Sequence, residues 1–360
     1  MPSSFPTRKV GDAIVGPLGY GLMWGAYDDH SKLATLADDE RFAVLDTALE
    51  AGCTFWDTAD IYTGSEEAVG RWDARIYFHR KICRFAKTGK RKDVFLATKF
   101  GFVMRQKTEG GHGGFGIDGS PGYVREACER SLKKLGTEYI DLYYLHRADS
   151  NTPIERTVGA MAELVQEGKI KYIGLSEVSA QTLRRAHAVH PITAVQVEYS
   201  PFTLDIESPE IGLLQTCREL GVKVVAYSPL GRGLLTGKIK SPEDITDPFK
   251  RAAPKYSAEN FPKTLKLINE LEAIGAKYNA SAGQVALAWI MAQGDDIIPI
   301  PCTTKVQNLK HNLAARDLVL NPEDVSSIRK YAEEIDVALR GVARYPPGIQ
   351  EMLFSETPQL

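Results

Sequence analysis

Short apolar runs alternate with longer segments whose apolar positions recur every three to four residues along most of the chain. The runs have the pattern of buried strands, and the segments that of amphipathic helices. Asp38 and Asp39 start the first helical stripe, which places Phe42, Leu45 and Leu49 at i, i+3 and i+7 and stops at Gly52. CTFWD then reads as a strand, SEEAVGRW as a helix and DVFLATKF as the next strand. Val124, Cys128, Leu132 and Leu135 mark a further apolar face ended by Gly136, ahead of the strand YIDLYYLH. Pro153 opens a helix with Met161, Leu164 and Val165 on one side, Gly168 closes it, and KYIGLS follows. AVQVEY, VKVVAYS and DIIPIP continue the rhythm, and LGYGL near residue 20 brings the strands to eight.

Eight near-continuous apolar strands separated by helices predict an α/β fold of the (β/α)8 TIM-barrel class, formed as a single domain over residues 1–360. A doubly wound sheet would instead want a glycine-rich phosphate turn directly after an early strand. The formal G-x-G-x-x-G match at Gly111, Gly113 and Gly116 lies about ten residues past its strand and leads into GIDGSPG, so it reads as a flexible loop. TRKVGDAIVG, residues 7–16, reads as an N-terminal β-hairpin covering the barrel floor, and residues 335–360 form a C-terminal tail beyond the last barrel helices.

Composition narrows the ligands. The formal net charge of the 360 residues is -2, with no basic stripe interleaved with aromatics, which argues against nucleic acid as a partner. No stretch approaches the roughly 20 apolar residues that span a bilayer, and the start lacks an apolar signal core, so the expected setting is the cytoplasm, away from membranes. The five cysteines are scattered and odd in number, which disfavours both a disulfide framework and a zinc site; most sit in apolar segments as packing residues, and no metal is expected.

In a barrel of this kind, the strand C-termini gather on one face. The second strand ends at Asp57, the third at Lys99 and the fourth at His146, with Tyr62 on the loop leaving the second. A tyrosine near its ordinary pKa of about 10 is a poor proton donor, and a neighbouring ammonium, itself held by a carboxylate, would lower that value. His146 would orient a substrate carbonyl beside the phenol. The set supplies a proton but no nucleophile, so a carbonyl substrate would also need a hydride, which implies a nicotinamide cofactor.

The same residues carry a family resemblance. GYGLMWG, DTADIY, FLATKFG, DLYYLHR, GLSE, QVEYS, AYSPLGRGLLTG and IPIPCTTKVQNLKHN, in this order, resemble the aldo-keto reductases over nearly the whole chain. The resemblance implies a catalytic tetrad of Asp57, Tyr62, Lys99 and His146, with Tyr62 as general acid in reduction. It implies that Ser176 and Gln196 hold the carboxamide and that Tyr227 stacks on the nicotinamide. Gly21, Met23, Trp24, Asp57 and Glu177 are further expected around the cofactor. Ser228, Pro229, Leu230, Gly231, Gly233 and Leu234 belong to the loop expected at the pyrophosphate. Thr303, Lys305, Asn308, His311 and Asn312 are expected at the adenosine end, where Thr303 and Lys305 resemble binders of the 2'-phosphate and favour NADPH, with NADH as the other possible donor.

Some positions depart from the pattern. Glu177 replaces a common asparagine, Thr304 and Asn308 stand where relatives often carry arginines, and His311 stands where a glutamate is common. Residues 73–84, DARIYFHRKICR, read as an insertion. Trp24, Tyr27, Tyr62, His146, Arg147 and Tyr345 are the candidates for the substrate mouth. The expected activity is reduction of a small aromatic or heteroaromatic aldehyde, such as pyridoxal or an aryl aldehyde, by a monomer or weak oligomer. The branches that include pyridoxal reductases and aryl-alcohol dehydrogenases are the nearest in general pattern. An NADP-binding redox-sensing regulatory subunit is the alternative reading. A metal-dependent barrel hydrolase would want clustered ligands that the seven scattered histidines do not offer.

Overall fold

A computed structural model of the chain describes residues 6–23, 37–74, 89–105, 114–245, 248–346 and 348–360. It begins with the hairpin read from the sequence: β1 (Arg8–Val10) pairs antiparallel with β2 (Ala13–Val15) across Gly11 and Asp12. Gly11 has φ +57°, and a Cβ there would lie 2.2 Å from the Tyr172 ring, so a side chain is excluded on both counts. The Asp12 amide donates to the Tyr172 hydroxyl at 2.9 Å. Val10 and Val15 join an interior cluster with Phe55, Phe95, Leu142 and Val225, residues of the barrel strands, and so plug the floor.

The barrel strands are β3 (Tyr20–Gly21), β4 (Phe55–Asp57), β5 (Phe95–Phe100), β8 (Ile140–Leu145), β9 (Ile170–Ser176), β10 (Ile192–Glu198), β11 (Lys223–Tyr227) and β12 (Ile297–Pro299). Neighbours in that order are parallel throughout. A parallel bridge from Gly21 to Cys302, with the Gly19 amide on the Pro299 carbonyl at 2.9 Å, joins the first strand to the end of the last. The eight expected strands are all present, in a curled sheet with helices outside, as a (β/α)8 fold requires. Each barrel strand beyond the short β3 is buried along most of its length, which is why it reads as an uninterrupted apolar run.

The remaining strands, β6 (Phe102–Arg105) and β7 (Gly114–Ile117), form an antiparallel pair directly after β5. This corrects the reading of the glycine-rich stretch as loop throughout: Gly114 to Gly116 lie in a strand, because pairing with β6 satisfies their backbone groups without side chains. Residues 106–113 lie outside the described residues.

The helices are α1 (Asp38–Glu50), α2 (Ser65–Asp73), α3 (Pro121–Leu135), α4 (Ile154–Gln166), α5 (Ala180–Val189), α6 (Leu213–Leu220), α7 (Pro248–Ala252), α8 (Phe261–Tyr278), α9 (Ala282–Ala292), α10 (Val306–Leu313) and α11 (Pro322–Ala338). Phe42 and Leu45 of α1, Val124, Cys128, Leu132 and Leu135 of α3, and Met161 and Leu164 of α4 are buried, as their spacing predicts. Asp38 and Asp39 lie within the first turn of α1, with Ala37 at the cap; their charge complements the helix dipole there. Of the cysteines, Cys53, Cys128 and Cys217 are buried and unbridged, and Cys302 is exposed. Asp73 ends α2 and accepts the Arg91 amide at 3.1 Å, but residues 75–88, including most of the expected insertion and Cys83, lie outside the described residues.

Candidate active site at the strand exits

Four of the expected site residues converge where β4, β5 and β8 end. After Asp57 the chain continues beside β5, with the Thr58 amide on the Ala97 carbonyl at 2.9 Å and the Asp60 amide on the Lys99 carbonyl at 3.0 Å. A tight turn then carries Tyr62, fixed by its amide on Ala59 at 3.0 Å and by the Ser65 amide on its own carbonyl at 3.0 Å. Lys99 is completely buried and Asp57 nearly so; the ammonium donates to Asp57 Oδ1 and, at 2.7 Å, to the Thr58 carbonyl. Gln196 Nε2 donates to Asp57 Oδ2 at 2.7 Å, so both carboxylate oxygens are engaged. The ammonium lies 5.0 Å from the centre of the Tyr62 ring, and that ring meets His146 edge-on at 5.9 Å. Phe102 of β6 packs edge-on against the other side of His146 at 4.8 Å, a contact that its place after β5 did not reveal in the sequence.

Burial governs the electrostatics here. It pushes the Asp57 carboxyl up and the Lys99 ammonium down, and the contact between them opposes both shifts. The Tyr62 phenol is held above its ordinary value by burial and then by Asp57, which outweigh Arg147. This is opposite to the direction expected from Lys99, because burial and the nearby Asp57 carboxylate both disfavour a phenolate. Tyr62 is thus protonated at neutral pH. Burial, Arg147 and Lys99 push His146 well below the ordinary histidine value, so the ring is neutral; its Nδ1 is buried without a hydrogen-bond partner. A neutral imidazole edge-on to a protonated phenol is an arrangement in which the imidazole can orient a carbonyl oxygen and the phenol can hand it a proton.

Ser176, Gln196 and Tyr227 lie on the adjacent strands β9, β10 and β11. Gln196 is in register with Ser176, and Glu198 with Tyr227. Arg147 donates to the His146 carbonyl at 2.6 Å and to Ser176 Oγ at 3.3 Å, tying the β8 exit to the β9 exit. Glu177 is fully buried with φ +53°; its carboxylate accepts the Glu198 amide at 3.1 Å and the Tyr227 hydroxyl at 2.8 Å. Tyr345, expected at the substrate mouth, is 3% exposed, and its hydroxyl is 3.0 Å from that of Tyr227 while donating to Glu198 at 2.7 Å. It fills the space behind Tyr227 because an ion cluster there accepts its polar tip.

That cluster was not anticipated from the sequence. Glu198 is buried 3.7 Å from the Lys255 ammonium and 3.4 Å from the Arg344 guanidinium, and Arg344 also lies 2.9 Å from Asp205 and 3.9 Å from Glu177. Burial alone would raise the Glu198 carboxyl, but Lys255, Arg344 and Arg232 outweigh it and bring it down to about 2. Lys255 is lowered to about 8, chiefly by burial. The signal available in the sequence was Glu198 itself, a charge inside the apolar run AVQVEY.

The loop after β11 winds through a turn, Gly231–Thr236, with Ser228, Gly231, Arg232 and Gly233 all at positive φ. Gly231 and Gly233 tolerate this without strain, and the turn is closed by the Gly231 amide on the Ser228 carbonyl at 2.8 Å and the Gly233 amide on the Leu230 carbonyl at 3.0 Å. Pro229, Leu230 and Leu234 complete the loop. After the neighbouring strand β12, Lys305 caps α10, with its amide on Thr303 Oγ1 at 3.2 Å. Lys305, Asn308 and His311 are exposed there and Asn312 is buried. The Tyr20 hydroxyl donates to the Thr303 carbonyl at 2.6 Å, and Cys302 Sγ to the Met23 carbonyl at 3.5 Å, linking this segment to β3 and Gly21. Trp24 and Tyr27 lie outside the described residues. Among the described residues, no group of three or more His, Cys, Asp or Glu is placed to hold a metal ion, and no helix is long and apolar enough to cross a membrane.

Residues 17–333 match the model of the aldo/keto reductase family. An aldo-keto reductase from Strobilurus tenacellus is 53% identical over 335 residues, covering 92% of this chain and 93% of that protein. An aldo-keto reductase from Schizosaccharomyces pombe, whose name carries NADP(+), is 45% identical over 360 residues, 99% of both chains. Among solved structures, a glycerol dehydrogenase from Gluconobacter oxydans superposes with a TM-score of 0.76 at 25% identity, covering 96% of this chain and 98% of the other. The holo form of an aldo-keto reductase from Bacillus halodurans gives a TM-score of 0.68 at 26% identity over 92% of this chain and 96% of its own.

Proposed function

The chain belongs to the aldo/keto reductase family, and from that premise we propose that it reduces small aromatic or heteroaromatic aldehydes to alcohols, reversibly, in the cytoplasm with NADPH as the cofactor. The observation that carries this reading is the convergence of Tyr62, His146 and the buried Lys99–Asp57 pair at the strand exits, with the Lys99 ammonium 5.0 Å from the centre of the Tyr62 ring and His146 edge-on to that ring at 5.9 Å. His146 holds the carbonyl oxygen, and Tyr62 gives that oxygen its proton. The phenolate left behind faces Lys99, 5.0 Å from the ring centre, and the Asp57 carboxylate keeps that ammonium in place.

The donor set fits a nicotinamide nucleotide. Ser176 and Gln196 present a hydroxyl and an amide at the same level of adjacent strands, and Tyr227 lies on the next strand beside them. When bound, NADPH supplies the hydride. Ser176 and Gln196 hold its carboxamide, Tyr227 supports its ring, and the exposed Lys305 at the start of α10 meets the 2'-phosphate. Arg147 ties His146 to Ser176 and so keeps the substrate side and the cofactor side in one frame.

The test is NADPH consumption over a panel of aryl aldehydes, pyridoxal, aliphatic aldehydes and quinones. Turnover on the aromatic aldehydes, absent in Tyr62→Phe, is expected. Tight NADPH binding with no turnover on any carbonyl would overturn the catalytic reading in favour of a redox-sensing subunit.

A further inference from the structure

We propose that the C-terminal tail is a positioning part of the nicotinamide site: Tyr345 and Glu177 grip the Tyr227 hydroxyl from two sides and set the plane of its ring. This rests on the reading of Tyr227 as the support of the nicotinamide. A ring that bears a planar ligand must be held against rotation about its own side-chain bonds, and stacking against one face does not supply that hold. The hydroxyl does. It lies 2.8 Å from Glu177 and 3.0 Å from the Tyr345 oxygen. Each phenol has one proton; that of Tyr345 serves Glu198 at 2.7 Å, so Tyr227 divides its own between Glu177 and Tyr345.

The tail is locked to the same two carboxylates. The Ser355 amide donates to the Glu177 carbonyl at 3.1 Å, and Ser355 in turn accepts the Ser179 amide at 3.1 Å. The Thr357 hydroxyl accepts the Ile154 amide at 3.1 Å, and Arg185 donates to the Thr357 carbonyl at 2.9 Å, anchoring the end of the chain on α4 and α5. Arg344, next to Tyr345, stands within ion-pair distance of Glu177, Glu198 and Asp205. Glu177 is therefore engaged through its backbone by one part of the tail and through its side chain by Tyr227. The carboxylate at this position gives the Tyr227 phenol a charged acceptor.

The experiment measures NADPH dissociation constants, by quenching of protein fluorescence in the full chain, for the wild type, Tyr345→Phe and Glu177→Gln. Each substitution is also placed in a Tyr227→Phe background, which keeps the ring and removes its hydroxyl. Tyr345→Phe is expected to weaken NADPH by about three- to tenfold, the scale of a lost neutral hydrogen bond, and Glu177→Gln, which keeps a neutral acceptor in place of the charged one, by about threefold. In the Tyr227→Phe background both are expected to be silent. A general structural role would weaken binding equally in both backgrounds and would overturn the proposal, as would wild-type affinity in both single variants. Should Tyr345→Phe fail to fold, Glu177→Gln carries the same comparison. A wild-type protein that binds no NADPH, or a Tyr227→Ala variant that binds it unchanged, overturns the underlying reading together with the proposal, and is told apart by those controls.

Discussion

Two buried carboxylates face two buried lysines at the same end of the barrel, and they shift in opposite directions. Asp57 meets one cation, Lys99, and burial wins: its carboxyl rises. Glu198 meets Lys255, Arg344 and Arg232, and the cations win: its carboxyl falls to about 2. The number of facing charges decides the sign, because each group has a single desolvation cost but adds an attraction for every cation within reach. In the first pair burial opposes the charges on both partners, and only their mutual contact holds them charged. The second is fixed in charge and suits a scaffold.

The largest expected effect separates chemistry from scaffold. Tyr62→Phe, which keeps the ring, should lower kcat by about 10²- to 10⁴-fold, the scale of a lost general acid, with NADPH affinity close to that of the parent. Stopped-flow reduction alongside cofactor titration checks this, and an unchanged kcat would remove Tyr62 from the proton path.

Removing the carboxylates comes next. Glu198→Gln leaves Lys255 and Arg344 buried with less compensation and should cost about 3 to 5 kcal/mol in denaturant unfolding. Asp57→Asn should cost less, about 1 to 3 kcal/mol, because Lys99 keeps the Thr58 carbonyl at 2.7 Å and burial already favours its neutral form. Equal losses would break the contrast between the two pairs.

The pH dependence follows from the signs. Glu198 is depressed from its ordinary 4.5 to about 2, so its stabilisation is complete above the ordinary value and is lost as pH falls through about 2. Glu198→Gln should flatten that part of the acid limb. Asp57 is raised, so the folded state binds its proton more tightly and stability declines as pH climbs from the ordinary value through the raised one; Asp57→Asn should remove that decline. Acid unfolding curves of the two variants are expected to bend away from the parent in opposite senses.

The smallest effect lies outside both clusters. Lys305→Ala should weaken NADPH several-fold, about 1 kcal/mol for an exposed ammonium, while leaving NADH almost unchanged, since only NADPH carries the 2'-phosphate. Parallel titrations of the two nucleotides distinguish this from a general loss at α10.

The periodicity determined the strand count and the order of the elements, because burial of parallel strands on both faces leaves runs of apolar residues, and the Gly11–Asp12 turn marked the floor hairpin. It also put Asp57, Lys99 and His146 at or within one residue of strand ends, so topology was enough to bring them together, and Tyr62 followed on its loop. Even helical faces such as Val124, Cys128, Leu132 and Leu135 were readable from spacing. What the tertiary structure decided was where charges far apart in the chain meet. Nothing in the local pattern around Arg344 and Tyr345 reveals that the tail folds back on Glu177 and Glu198, and nothing in TKF shows that Lys99 donates to Asp57 and the Thr58 carbonyl. Local sequence sets which face a residue presents to its own neighbours, whereas the pKa of a buried group depends on every charge within a few ångströms, whichever part of the chain supplies it.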